Sequence, residues 1–128
     1  MVIVDTSIWL QFFRLQPSSV KKEMDRLRAS GEIAVVGVVL AEVLQGARTE
    51  REAEQLRAGL RGFPYLEETQ GTWVRVGELS HQLRQKGVTV SIMDLLIAAL
   101  ALEHGCEVYT LDEHFERVPG LTLHTVRG

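Results

Sequence analysis

The chain has one cysteine, Cys106, in 128 residues, so an intramolecular disulfide is excluded. That thiol precedes the apolar stretch Val108-Tyr109 and reads as a small buried hydrophobe rather than a nucleophile. Aromatic residues are scarce, 6% against 45% hydrophobic overall, so the core must rest on Leu, Val, Ile and Ala. Positive charge is short as well: 14 Lys and Arg face 17 Asp and Glu, for a net charge of −3. This excludes a protein that coats nucleic acid by charge alone. It leaves room for a nuclease, because a carboxylate site carries negative charge that a bound metal cancels. No apolar run is long enough to span a membrane, and Met1-Val2-Ile3-Val4-Asp5 has no basic leader, so a cytoplasmic location is expected.

Several chemical signatures are also missing. Of the four histidines, His104 ends an apolar helix and His114 sits in a turn. Neither has a partner at helical spacing and no HExxH occurs, so no zinc site is expected. There is no Walker-type loop and no GxGxxG, which removes nucleotide binding of those kinds. The nucleophile elbow GxSxG is absent too.

What is present is a regular alternation. Residues 2–4 and Ile33–Val36 are short β-branched runs that read as buried strands. Helices are expected from Ser7 to Leu15, ended by Pro17, and from a cap at Ser18 or Ser19 to Ser30, closed by Gly31. Further helices are expected from Leu40 to Gly46, over Thr49–Arg61, over Thr72–Lys86 and over Ser91–His104, the last so apolar that it belongs at the centre. Glu107–Leu111 and Leu121–Val126 read as two more strands. The alternation predicts one α/β domain, residues 1–128, with a three-layer α/β/α arrangement around a mostly parallel sheet. Such sheets carry their sites beyond the carboxyl ends of their strands. Asp5 and Asp112 follow two of the expected strands in the same way.

Of only four aspartates, Asp25 alone lies in an ordinary polar helix. Asp5, Asp94 and Asp112 stand beside apolar segments, where a carboxylate is costly unless something compensates. Each has a structural explanation: Asp5 as a helix cap, Asp94 in a capping box with Ser91, Asp112 as the cap of the turn Glu113-His114-Phe115. Glu42 sits one turn beyond Val38-Val39, on a partly apolar helix face. As a set, the four acids suit a hard divalent cation, Mg²⁺ or Mn²⁺, which takes oxygen ligands. Phosphodiester hydrolysis needs an activated water and a stabiliser for the leaving oxygen, and such an ion can supply both. Packed like charges also predict raised pKa values in the metal-free cluster. The same acids would suit a phosphatase-like hydrolase, although an Asp-x-Asp pair after the first strand is lacking. A non-catalytic binding module would have no need of a complete acid set.

Four segments, in order, then resemble the PIN domain and in particular the VapC-type toxins of toxin–antitoxin pairs. They are Val2-Ile3-Val4-Asp5-Thr6-Ser7-Ile8-Trp9, Val39-Leu40-Ala41-Glu42-Val43-Leu44-Gln45-Gly46, Asp94-Leu95-Leu96-Ile97-Ala98-Ala99 and Tyr109-Thr110-Leu111-Asp112-Glu113-His114-Phe115. The resemblance implies that Asp5, Glu42, Asp94 and Asp112 hold Mg²⁺ or Mn²⁺, with Thr6 and Thr110 as supporting hydroxyls. Ser7 stands where many relatives carry Asn. It further implies an endoribonuclease, a cognate antitoxin and a homodimer. Arg14 and Arg48, beside the motif helices, are candidates for holding phosphates. Trp9, Phe12 and Phe13 are many aromatics for one short helix, and are expected in the core or at a dimer interface in preference to an antitoxin contact.

Overall fold

The computed structural model describes residues 1–14 and 19–126. Strands β1 (Val2–Val4) and β2 (Ile33–Val36) are buried along their whole length, as continuous apolar runs in a parallel sheet must be. With β3 (Tyr65–Leu66) and β4 (Glu107–Tyr109) they form a four-stranded sheet of order β3-β2-β1-β4, every pair parallel. The register sets Val2 beside both Ile33 and Glu107. Order reverses at β1, whose neighbours are β2 on one side and β4, the last strand, on the other. That reversal is the place where open α/β sheets form a crevice.

Six helices complete the described residues: α1 (Thr6–Phe13), α2 (Ser19–Ser30), α3 (Gly37–Gln45), α4 (Glu50–Leu60), α5 (Gln70–Gln85) and α6 (Ile92–His104). Helix α6 has an unbroken buried stretch from Leu95 to Ala101, which makes it the central helix its composition required. It closes on Gly105 at φ 65°, a left-handed residue that costs a glycine nothing. The aromatic cluster on α1 packs inward: Trp9 is fully buried and stacks on Phe13, with Phe12 and Phe63 against its edges. Cys106 is buried as expected, and burial pushes its thiol up.

Several boundaries differ from the sequence reading. Helix α1 starts at Thr6, and α3 at Gly37 rather than Leu40. The weak helix formers Gly37, Val38 and Val39 are drawn into α3 because Val39 and Val43 bury in the core. Helix α5 begins at Gln70 because Thr69 and Thr72 form a reciprocal capping box ahead of the expected start. Leu15, Pro17 and Ser18, expected to end one helix and cap the next, lie outside the described residues. Strand β3 was not expected. β4 stops at Tyr109, short of Leu111, because the chain turns there into the site.

The strand expected over Leu121–Val126 does not form. That segment touches the sheet at one parallel bridge, Val108 to Leu123. Two backbone bonds to Val108 hold it there, and His124 adds to them: its Nδ1 meets Glu107 Oε1 at 2.8 Å and its Nε2 meets Glu23 Oε2. Glu23 is 3% exposed and also accepts from Arg26. The Arg26 guanidinium first, then His124, hold the Glu23 carboxyl down at about 2 against the cost of burial. A lowered carboxyl contributes stability that is complete above its unfolded value, near 4.5, and disappears as pH falls toward 2. Glu23→Gln is therefore expected to flatten the loss of stability between those limits. Chemical denaturation of both proteins at a series of pH values measures it, and parallel curves would contradict it.

Candidate active site

The crevice at the reversal point is built from four elements. Asp5 follows β1 directly and its N–H donates to Tyr109 O of β4 at 2.9 Å, which ties the two strand ends together. Glu42 projects from the second turn of α3. Asp94 lies in the first turn of α6, and Asp112 comes three residues after β4 at the head of a 3-10 helix, Glu113–Arg117.

Hydroxyls link these acids. Thr6 Oγ1 donates to Glu42 Oε1 at 2.9 Å, and Thr110 Oγ1 donates to Asp5 Oδ2 at 2.8 Å. Thr110 Oγ1 also accepts from the Asp112 N–H at 3.0 Å. Thr6 and Thr110 are thus the connectors between the ends of β1, α3 and β4.

The capping explanations account for part of each acid. Asp5 accepts from the Thr6 N–H, the first of the helix, whereas an ordinary cap serves the second or third. Asp94 receives only half of a capping box: its N–H donates to Ser91 Oγ at 3.1 Å, and the return bond from its carboxylate is not made. Asp112 does cap its 3-10 helix, accepting from the His114 N–H at 2.9 Å.

Charge in the crevice is concentrated and uncompensated. Burial is the main cause that raises the carboxyl of Asp5, with Asp112 adding to it and the Thr110 and Thr6 bonds opposing it. Asp94 is raised first by burial, then by the charges of Asp112, Asp5 and Glu42, against the Ser91 bond. Asp94 therefore feels the charge of the other three acids. Among the described residues no Lys or Arg pairs with any of them, and the ion pairs of the protein lie elsewhere apart from His114 to Asp112. An oxygen-rich, part-buried cluster without a protein cation fits a hard divalent metal ion.

The tightest group is Asp94, Asp112 and His114, which offer ligand atoms all within 4.8 Å of one another. His114 was missed by sequence reasoning, which looked for a partner at helical spacing. Its partners come from α6 and from two residues upstream, and only the Asp112-x-His114 pattern hinted at it. Asp5 and Glu42 lie outside this tight group and join it through Thr110 and Thr6. A cleft of about 580 Å³ opens beside Asp112 and His114, with Val88, Thr89 and Arg117 among its walls. Arg117 is a cation that the sequence did not single out. Arg14 is engaged elsewhere, donating to Gly46 O at 2.8 Å and pairing with Glu52, while Arg48 is exposed.

Comparison with known proteins agrees with this architecture. Residues 2–121 match the PIN domain. The VapC ribonuclease Mb1587 of Mycobacterium bovis is 32% identical over 126 residues, which span 95% of this chain and 94% of that protein. The crystal structure of VapBC2 from Rickettsia felis, bound to a DNA fragment from their promoter, aligns with a TM-score of 0.82 at 25% identity, covering 97% of this chain and 98% of that one. A toxin–antitoxin complex from Klebsiella pneumoniae shares the fold, with a TM-score of 0.78 at 21% identity over 95% and 96% of the two chains. With its strand order, its acid-lined crevice and these matches, the chain belongs to the PIN-domain family, among the VapC-type ribonucleases.

Proposed function

We propose that this protein is the endoribonuclease toxin of a toxin–antitoxin pair and hydrolyses RNA phosphodiester bonds at the crevice formed by Asp5, Glu42, Asp94 and Asp112. The observation that carries this reading is the convergence of four acids, from the ends of β1 and β4 and from α3 and α6, with no Lys or Arg among the described residues paired to them. The family supports the reaction class, and the residues support its chemistry.

The acids would hold Mg²⁺ or Mn²⁺, which supplies an activated water and a counter-charge for the departing oxygen. Thr110 holds Asp5 through Oδ2, and the Thr6 N–H holds it through Oδ1, so that its carboxylate keeps one orientation. Thr6 does the same for Glu42. Asp94 stays free of a capping duty. Arg117, in the cleft wall, is placed to receive a flanking phosphate, the contact for which guanidinium geometry is suited. A cognate antitoxin is the expected protein partner, and an RNA substrate sets the cytoplasm as the place of action.

Cleavage of a structured RNA is expected to require Mg²⁺ or Mn²⁺ and to stop with EDTA, while a chromogenic phosphate ester is left intact. Gel assays with and without each ion check this. Full RNA cleavage in metal-free buffer, or turnover of the ester alone, would overturn the reading.

A further inference from the structure

We infer that His114 is a nitrogen ligand of the metal site and makes the site select Mn²⁺ over Mg²⁺. This rests on the metal-site reading above and goes beyond it, since that reading is built on oxygens only. Three observations carry it. His114, Asp94 and Asp112 offer one ligand atom each, within 4.8 Å of one another. His114 Nδ1 lies 2.8 Å from Asp112 Oδ1. The imidazole is 67% exposed and packs in no core, so its position is not explained by burial.

The spacing suits ligands of one ion. Donors about 2.1 Å from an octahedral ion lie roughly 3.0 Å apart when adjacent and roughly 4.2 Å apart when opposite. The 2.8 Å edge between His114 and Asp112 is close to that of an adjacent pair, and the 4.8 Å limit on the whole group leaves a small closing movement for an ion to draw Asp94 in. Mg²⁺ holds to oxygen ligands and water, and gains little from imidazole. Transition ions accept imidazole readily. A site with one imidazole among carboxylates therefore favours Mn²⁺, whereas an all-oxygen site with the same acids lacks that preference.

A purely structural role for His114, holding Asp112 by its hydrogen bond, predicts something different. Loss of such a support weakens binding of every ion alike, because the carboxylate that moves serves them all.

The test uses the whole protein and the metal ions alone, without RNA. Mn²⁺ affinity is read from the EPR signal of the free ion, Mg²⁺ affinity by competition, and the ligand type from nitrogen modulation in pulsed EPR of bound Mn²⁺. Wild type is expected to show imidazole nitrogen coupling. His114→Gln is expected to lose that coupling and about tenfold in Mn²⁺ affinity, with Mg²⁺ affinity within about twofold of wild type. The ring is exposed, so the variant should fold, and its melting curve confirms this. A wild-type spectrum without nitrogen coupling overturns the inference, as does an equal loss for both ions. Wild-type protein that binds no Mn²⁺ at all overturns the metal-site reading itself. Mn²⁺ binding that Asp94→Asn abolishes and His114→Gln leaves unchanged overturns only the role of His114.

Discussion

Asp94→Asn is expected to lower RNA cleavage by at least about a hundredfold, the scale of losing a key electrostatic group, while the metal-free protein stays as stable or becomes more so. The two halves have one cause. Burial and the charges of Asp112, Asp5 and Glu42 all oppose ionisation of Asp94. The neutral amide removes that opposition, yet keeps the size of the side chain and the backbone bond to Ser91 Oγ. As a simple cap, Asp94 would behave in the opposite way. Removing a charge from a helix start costs roughly 0.3–1 kcal/mol, and activity would be spared. The variant should also lose most of the melting-temperature rise given by Mg²⁺, because a ligand stabilises the fold only in proportion to its occupancy. Melting with and without Mg²⁺, beside cleavage rates, separates these outcomes. A less stable variant that cleaves normally would return Asp94 to a capping role.

Trp9→Ala has the largest expected cost to the fold. Trp9 is fully buried, with Phe13 stacked on it at 5.6 Å between ring centroids and Phe63 tilted against it at 5.4 Å. Truncating a buried Trp costs about 3–5 kcal/mol, as lost transfer energy and as a cavity that its neighbours fill only in part. In a domain of this size, that corresponds to a fall in Tm of roughly 10–20 °C. The effect extends to the site, because α1 begins at Thr6 and is capped by Asp5. Calorimetry measures the change. A loss below about 1 kcal/mol would mean that the aromatic cluster is not the anchor its packing describes.

Much of this was legible in the sequence, and the illegible parts have identifiable reasons. β1, β2 and the Leu95–Ala101 stretch of α6 are buried on all sides, so composition alone announces them. Asp5 and Asp94 stand at the boundary of such elements, and Asp112 and Glu42 beside shorter apolar runs, which is why local context drew attention to them. β3 is two residues long and partly exposed, and a pair without a pattern leaves no periodic trace. Leu121 to Val126 alternates like a strand, yet its backbone meets the sheet at the single bridge to Val108; His124 reaches Glu23 from a different part of the chain, and no local rule expresses that contact. His114 was hidden for the same reason. Its turn is visible in the sequence, but its nearness to Asp94 is created by the docking of α6 against the end of β4. Single-residue boundary shifts, as at Thr6, fall within the fraying of helix ends.

The pairing of the first strand with the last has a consequence for how the protein is made. Thr110 and Asp5 are joined by a hydrogen bond across 105 residues of chain. Asp5 is synthesised before Glu42 and Asp94, and Asp112 with its supporting hydroxyl comes after all three. A growing chain that lacks β4 has no neighbour for that side of β1 and no fourth acid, and the closing of so long a loop is slow compared with local helix formation. Under the mechanism proposed above, a chain that has not yet made β4 and Asp112 carries an incomplete acid site. The ribosome and the message, themselves RNA, would meet an assembled site only after that segment has emerged.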